Sequence, residues 1–169
     1  MEQKEQTVKR TIEQGWMKVS GQSILDLEKY ILDQLASDPE ITILIGTDSK
    51  KSIVGYQEQD VKYLSVVCFR KPNKGAHVIK RIENTRYNFR ISLGERLGYE
   101  IDLSSRLAIW IREKINLSVE VHLDINPDAS AGSHEVYKMY KGYFESMQFP
   151  CEYKPDSAAA QCVADYYLG

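Results

Sequence analysis

The chain has 169 residues, of which 43% are hydrophobic and 27% charged, the size and composition of one globular domain with a buried core. Its formal net charge of −2 excludes a protein that binds nucleic acid through uniform basicity. The charged start MEQKEQTVKR has no apolar segment behind it, so neither secretion nor membrane insertion is expected.

The three cysteines indicate a reducing compartment. Cys68, Cys151 and Cys162 are odd in number and lack the CxxC spacing of zinc sites and redox motifs. They are predicted to be reduced, buried thiols. We therefore expect a cytoplasmic protein with a single domain over residues 1–169, in which residues 1–19 form an N-terminal extension.

The first predicted elements are a helix and three strands. Residues 22–36 carry apolar residues at helical spacing, with Ser20 as a candidate cap and Pro39 as a stop. The core face of this helix consists of Ile24, Leu27, Ile31, Leu32 and Leu35. Strands are then predicted over 41–47, in VKYLSVVCFR and in AHVIKRIENTRY, with the turn PNKG between the last two. Together the three strands form an antiparallel meander.

The second half of the chain alternates helices with strands. A long helix from 91 to 115 is followed by the strand SVEVHLDIN, the helix HEVYKMYKGYFESM, the short strand PCEYKPD and the Ala-rich helix SAAAQCVADYYL. The predicted core-facing residues of the first two helices are Leu93, Leu97, Ile101, Ala108, Ile111, Ile115, Val136, Met139, Tyr140 and Phe144. A meander followed by parallel crossovers predicts an α/β fold, a mixed five-stranded sheet flanked by helices and preceded by an extra N-terminal helix.

Two predicted strands end in an aspartate, Asp48 in ITILIGTDSK and Asp124 in SVEVHLDIN. A carboxylate at the end of an apolar strand is costly unless it is paired or bound to a metal. Two such strands, each bringing an Asp to the centre of the sheet, therefore indicate a divalent-metal site. The alternative is that both aspartates belong to ordinary turns at strand ends.

The long helix supplies a third acidic candidate. At about 100° per residue, Glu100 lies within the apolar face, whereas Glu95 and Asp102 project from roughly the opposite side. An acid on a buried face must be protonated, paired or metal-bound. Glu100 is therefore the predicted partner of Asp48 and Asp124, and carboxylate oxygens are the ligands that Mg²⁺ and Mn²⁺ prefer.

A fourth carboxylate comes from the end of the chain, where two residues compete. Asp156 follows the last predicted strand at the start of the last helix, and its alternative role is to cap that helix. Asp165 lies in the third turn of the helix, away from its apolar face, so periodicity favours Asp156. Asp165 stays the alternative fourth ligand.

Positive charge is concentrated in one segment. Residues 69–90 hold seven Lys or Arg against one acid, which leaves 15 basic and 23 acidic residues elsewhere, a net of −8. Interleaved aromatic residues suit base stacking, so Lys80, Arg81 and Arg86 are predicted to bind a nucleic-acid backbone. The alternative is an edge hairpin whose cations prevent aggregation.

The four motifs GTDSK, RLGYEIDLSSRLA, HLDINP and KPDSAAAQCVADYYL, taken in this order, resemble the YkuK-like family of predicted ribonuclease H-related nucleases. The resemblance covers most of the chain from about residue 20 onward. It implies the fold of the ribonuclease H-like superfamily. It also implies that the acids of the family fall on Asp48, Glu100, Asp124 and Asp156, with Asp165 in a second acidic position of the last motif.

Functions of two classes follow from these features. The first is a nuclease in which Asp48 and Asp124 hold two Mg²⁺ or Mn²⁺ ions, with Glu100 and Asp156 completing the ligand shell and the ions activating water and stabilising the leaving 3′ oxygen. The second is a non-catalytic module that binds nucleic acid or protein on the same fold. A metal-dependent enzyme acting on a small phosphorylated substrate is a third possibility. The sequence leaves open whether a nucleic-acid substrate is RNA, DNA or a hybrid.

Overall fold

The protein is described by a computed structural model that covers residues 12–159, 163 and 165–168, with Asp165 described by its backbone alone. Six strands and four helices lie in this part of the chain. In chain order they are β1 (Trp16–Lys18), α1 (Leu27–Ser37), β2 (Thr42–Ile53), β3 (Gln59–Lys71), β4 (Gly75–Tyr87), α2 (Leu93–Ile115), β5 (Glu120–His122), α3 (His134–Ser146), β6 (Cys151–Glu152) and α4 (Asp165–Leu168).

The strands form one mixed sheet in the order β1-β4-β3-β2-β5-β6. Strands β2, β3 and β4 are an antiparallel meander, whereas β5 pairs in parallel with β2 and β6 pairs in parallel with β5. The turn between β3 and β4 suits its sequence, because Asn73 and Gly75 adopt positive φ angles of 59° and 84°, which Asn and Gly tolerate best. The predicted mixed α/β sheet is confirmed.

The predicted number of five strands is wrong, because a sixth strand is present. β1 lies within the predicted N-terminal extension and pairs antiparallel with β4 through Trp16 and Arg81. Trp16 is only 2% exposed, and its indole nitrogen donates a hydrogen bond to the Ile12 carbonyl. A strand of three residues is too short to show an alternating pattern, so only its long-range pairing identifies it.

Helix α1 starts five residues later than predicted. Asp26 caps it by accepting a hydrogen bond from the Lys29 amide, so Ser20 is not the cap. The Ile24 amide instead donates to the Trp16 carbonyl, which holds the preceding segment against β1. The predicted core residue Leu32 is 45% exposed, because the helix buries Leu27 and Ile31 and turns Leu32 to solvent.

Helix α2 agrees closely with its predicted span. Ser92 and Glu95 form a reciprocal capping box at its start, and Asn116 ends it in the left-handed conformation. Most of the predicted core face is buried, but Leu93 is 45% exposed because it lies in the first turn. On α3, Met139 is 71% exposed, so its predicted place in the core is wrong.

The two faces of the sheet pack against different elements. Ile43 and Ile45 on β2 pack into the main core with the long helix α2, whereas Leu44 joins a smaller cluster that includes Ala159 and Leu168 from the end of the chain. This alternation follows from the two-residue period of a strand. It decides the face on which each functional side chain of β2 lies.

The last predicted helix is described only in part. Its final turn is α4, and residues 160–162 and 164 lie outside the described residues, so the predicted thiol of Cys162 does too. Cys68 and Cys151 are free thiols. Of the helices in the described ranges, none combines the length and the apolar character needed to cross a membrane.

Candidate active site

Strand β2 carries polar side chains to both faces of the sheet where its apolar run ends. Thr47 accepts a 3.0 Å hydrogen bond from Ser104 of α2, and Ser49 donates to Glu100 of the same helix. Both therefore face α2. Asp48 lies between them and, by strand alternation, faces the opposite side of the sheet, where it is partly exposed.

Asp124 reaches the same region from the neighbouring parallel strand. The paired register of β2 and β5 ends with Gly46 beside His122, and Asp48 and Asp124 each follow two residues later on their own chain segments. The chain stays extended past β5, because the Leu123 amide donates to the Glu152 carbonyl and the Lys154 amide donates to that of Ile125. The side chain of Asp124 is 19% exposed.

Glu100 approaches from α2 and is the most deeply buried acid of the site, at 3% exposure. Burial raises the pKa of its carboxyl to about 8, and the negative charges of Asp48 and Asp124 add to the increase. The hydrogen bond from Ser49 and the charge of Arg96 act in the opposite direction. Glu100 thus lies close enough to both Asp48 and Asp124 to interact with them electrostatically.

Arg96 is a part of the site that the sequence analysis missed. It lies one turn before Glu100 on α2, and its Nη1 donates to the Ser49 carbonyl at 3.0 Å and to the Ser49 hydroxyl at 2.7 Å. The same nitrogen is 3.4 Å from Glu100 Oε1. Arg96 therefore fixes α2 to β2 at the acidic residues. Its four-residue spacing from Glu100 on the helix was the signal that could have identified it.

Lys154 is the second residue that the sequence analysis missed. Its Nζ lies 2.8 Å from Asp124 Oδ1, an ion pair between partly exposed side chains. The approach lacks hydrogen-bond geometry, so this buried carboxylate oxygen has no hydrogen-bond partner within the described part of the chain. The lysine thus places a positive charge beside this partly exposed carboxylate. Its position two residues before Asp156 was the available signal.

His122 connects the strand of Asp124 to the end of the chain. Its Nδ1 accepts a 3.1 Å hydrogen bond from the Ala159 amide, and its Nε2 lies 2.6 Å from Glu120 Oε1. Because Nδ1 is the acceptor, the ring proton is on Nε2 and is donated to Glu120. The imidazole is 2% exposed, so it fixes the segment after Asp156 against the sheet.

The two candidates for the fourth acid are placed differently. Asp156 is exposed, its amide donates to the Tyr153 carbonyl at 2.8 Å, and its carboxylate forms no hydrogen bond or ion pair with residues 12–159. The side chain of Asp165 lies outside the described residues. Asp156 therefore stays the predicted fourth acid, with Asp165 as the alternative.

The chemistry of these side chains suits a hard divalent cation, because carboxylate oxygens dominate and one of them, Asp124 Oδ1, is buried without a hydrogen bond. Their arrangement is looser than a formed metal site. Within residues 12–159, 163 and 165–168, no three acidic, histidine or cysteine side chains are close enough together to hold one ion. Asp48, Glu100 and Asp124 fit a metal in donor type, and Lys154 stands beside Asp124.

The three predicted nucleic-acid-binding residues of β4 have different environments. Arg81 is 9% exposed and donates to the Gln14 carbonyl at 3.0 Å and to Glu83 at 2.9 Å. Lys80 lies on the other face, with its Nζ 4.9 Å from the centre of the Tyr167 ring. Arg86 is 60% exposed and forms a two-pronged ion pair with Asp60. The strand period separates Arg81 from the other two.

Comparison with known proteins identifies the family of the chain. A protein-family model described as ribonuclease H-like matches residues 23–168. Neither a curated protein nor a solved structure matches the chain. The matched span contains strands β2 to β6, all four helices and every acid of the candidate site. The chain belongs to the ribonuclease H-like family.

Proposed function

We propose that the protein is a divalent-metal-dependent nuclease that hydrolyses phosphodiester bonds of nucleic acid. One observation carries the proposal: the buried Glu100 is brought from α2 to the place where Asp48 and Asp124 repel its charge. Bringing like charges near a buried carboxyl has a cost in the absence of a cation, which favours a function over a purely structural role.

Each residue has a separate part in this proposal. Asp48 and Asp124 would hold the ions from the side of the sheet opposite α2, and Glu100 would complete the shell from α2. Asp156 is the proposed fourth ligand. When bound, Mg²⁺ or Mn²⁺ ions would activate water and neutralise charge on the leaving 3′ oxygen. Arg96 and Ser49 would orient Glu100, since both contact its carboxylate.

The narrower identity is also a proposal. The order of the motifs around Asp48, Glu100, Asp124 and Asp156 supports membership of the YkuK-like nucleases within the ribonuclease H-like family. The partner would then be nucleic acid, and membership of the family supports this partner class.

A non-catalytic binding module is the second candidate function. It is favoured by the ion pair of Lys154 with Asp124, which satisfies that carboxylate without a metal. It is also favoured by the separation of the acids, since no three of them within the described residues are arranged to share an ion. On this alternative the fold would bind a partner and the acids would have no catalytic part.

The decisive experiment is a cleavage assay with Mg²⁺ or Mn²⁺ over single-stranded, duplex and hybrid substrates. The nuclease proposal requires metal-dependent cleavage by the wild-type protein that Asp48→Asn abolishes, a loss of at least about a hundredfold. The fold should stay intact, because removing one of several mutually repelling charges does not destabilise the metal-free protein. Asp102→Asn is the matched control, since Asp102 is an exposed acid on α2. Full activity of Asp48→Asn, or an inactive wild-type protein, would exclude the proposal.

A further inference from the structure

We propose that the far ends of β2, β3 and β4 form a binding site for a single-stranded segment of nucleic acid, with an unpaired base stacked in a cleft at these strand ends. The cleft is lined by Tyr56, Gln57, Phe89 and Arg90 and has a volume of about 470 Å³. We call it the aromatic cleft. The inference rests on the proposed function in that it assigns the part of the substrate that lies outside the acidic site.

Two aromatic rings of the cleft are exposed to a degree that folding alone does not explain. Tyr56, in the turn between β2 and β3, is 93% exposed, and Phe89, in the segment between β4 and α2, is 53% exposed. Rings of this size are ordinarily buried, because they carry a large apolar area. Two of them lining one open cleft thus offer a surface for a flat, partly apolar ligand.

Phe89 is held in place from beneath. Its ring packs edge-on against Tyr87, with the ring centres 5.7 Å apart. The Tyr87 hydroxyl in turn lies 3.2 Å from the hydroxyl of Tyr63, whose side chain is 1% exposed. This row of rings connects the exposed Phe89 to the core. A ring fixed in this way loses little conformational entropy when a base stacks on it.

Positive charge lies at the aromatic cleft itself, where Arg90 adds an exposed guanidinium to the lining. Lys62 on β3 is also exposed, but strand alternation puts it on the same face as Asp48, whereas Tyr87 beneath Phe89 lies on the face that packs against α2. Arg90 is therefore the cation that a phosphate next to the stacked base would contact.

The aromatic cleft lies near the end of the strand that carries Asp48. Ile53, at the end of β2, is five residues beyond Asp48, which corresponds to roughly 17 Å of strand at about 3.4 Å per residue. A segment of a few nucleotides spans this distance, since sites for single strands cover about 4–16 nucleotides. Exposed rings together with an exposed guanidinium favour this ligand over duplex, whose bases are already stacked and paired.

The test is the affinity of the full chain for a labelled oligothymidylate of roughly twelve nucleotides, measured by fluorescence anisotropy in EDTA so that no cleavage occurs. Tyr56→Ala and Phe89→Ala should each weaken binding by roughly 5- to 150-fold, as expected for the loss of one stacked base. Tyr56→Trp and Phe89→Tyr keep a ring and should retain most of the affinity. Tyr143→Ala removes a partly exposed ring from α3 and should change nothing.

A second measurement tests the cation of the cleft. Arg90→Ala should reduce the slope of log affinity against log salt by about one, because one phosphate contact is lost. The control is Lys138→Ala, since Lys138 is an exposed lysine on α3 that pairs with Glu135. A salt slope that Arg90→Ala leaves unchanged would overturn the assignment of Arg90 to the strand.

Failure of this inference and failure of the nuclease proposal give different results. Ring-dependent binding by a protein that cleaves nothing would support the aromatic cleft and exclude the nuclease. Metal-dependent cleavage with an oligonucleotide affinity that neither Tyr56→Ala nor Phe89→Ala alters would support the nuclease and exclude the aromatic cleft. If the protein binds no oligonucleotide but self-associates, and Tyr56→Ala abolishes that association, the cleft is an interface for a second copy and the inference is wrong.

Discussion

At the scale of single residues, Lys154 has the most direct influence on whether a metal binds. Its ammonium group lies 2.8 Å from Asp124 Oδ1, the oxygen that the nuclease proposal assigns to a cation. A side-chain cation tethered at this place competes with a metal ion by the same electrostatic attraction. The metal-free protein is stabilised by the pair, and a metal that binds Asp124 must offset its loss.

Replacing Lys154 with Met is therefore expected to strengthen Mn²⁺ binding, by up to about fivefold. The expected change in affinity is limited by the energy of the ion pair between Lys154 and Asp124. An ion pair between partly exposed groups is worth at most about 1 kcal/mol. Isothermal titration calorimetry with MnCl₂ on wild type and Lys154→Met measures the change directly. Lys138→Met serves as the control, because Lys138 pairs on α3. Weaker Mn²⁺ binding by Lys154→Met would show that the lysine supports the site and does not compete.

The choice of the fourth acid is a second prediction at this scale. We expect Asp156→Asn to lower Mn²⁺ affinity and turnover far more than Asp165→Asn, by at least about tenfold. Asp156 follows Lys154 by two residues, and its exposed carboxylate makes no hydrogen bond within residues 12–159. Helix capping does not mimic the loss, because Asn caps a helix about as well as Asp. If Asp165→Asn is the inactive variant and Asp156→Asn behaves like wild type, Asp165 is the ligand.

At the scale of elements, β4 divides its positive charges between the two faces of the sheet. Arg81 faces α2, where it is buried and paired with Glu83, whereas Lys80 and Arg86 are on the opposite face, which also carries Asp48. The sequence analysis assigned all three to nucleic-acid binding. The contacts of Arg81 with Glu83 and Gln14 join β4 to the N-terminal segment, and its part in nucleic-acid binding stays a prediction.

Charge reversal on β4 should accordingly have two different effects. Lys80→Glu and Arg86→Glu are expected to weaken oligonucleotide binding and to flatten its salt dependence, since fewer counterions are released. Arg81→Glu should instead lower the free energy of unfolding by about 3 kcal/mol or more, because it places two acids together in a buried position. Anisotropy against salt and urea denaturation measure the two effects. A stable Arg81→Glu protein with impaired binding would restore the original assignment of Arg81.

At the scale of the whole molecule, the buried Glu100 couples stability to pH. The pKa of its carboxyl is about 8 in the folded protein, against an ordinary value of 4.5. The folded state therefore binds more protons than the unfolded state between these two values. The contribution of the Glu100 carboxyl to the free energy of unfolding is complete below about pH 4.5. It is lost as the pH rises through about 8, at a rate of up to about 1.4 kcal/mol per pH unit.

Glu100→Gln should remove this dependence. The amide stays neutral at every pH, so the metal-free variant is expected to be more stable than wild type at pH 8 and to lose less stability between pH 5 and pH 8. Urea denaturation in EDTA across this range measures the difference. Asp102→Asn on the same helix is exposed and should follow the wild-type curve. Equal pH dependence of wild type and Glu100→Gln would show that the buried carboxyl is not the source.

The sequence by itself determined the features that depend on local periodicity and turn chemistry. The helical period of α2 predicted both its span and the burial of Glu100, because the apolar face of a long helix has one consistent orientation. The meander followed from alternating strands and from the turn at Asn73 and Gly75, whose positive φ angles their residue types permit. The local signals also located the end of the apolar run at Asp48, but they misplaced the strand ends: β2 continues past Asp48 to Ile53, and β5 ends at His122, two residues before Asp124.

Only the tertiary structure decided the features that join residues far apart in the chain. The pairing of β1 with β4, the contact of Lys154 with Asp124 and the meeting of Tyr56 with Phe89 in one cleft all depend on how the sheet assembles. Local sequence patterns do not predict such contacts, because each of these side chains can also be exposed to solvent and only the folded chain brings its distant partner close. The sheet also fixed which charges of β4 are buried, since the period of a strand separates two faces but does not specify which of them a helix covers.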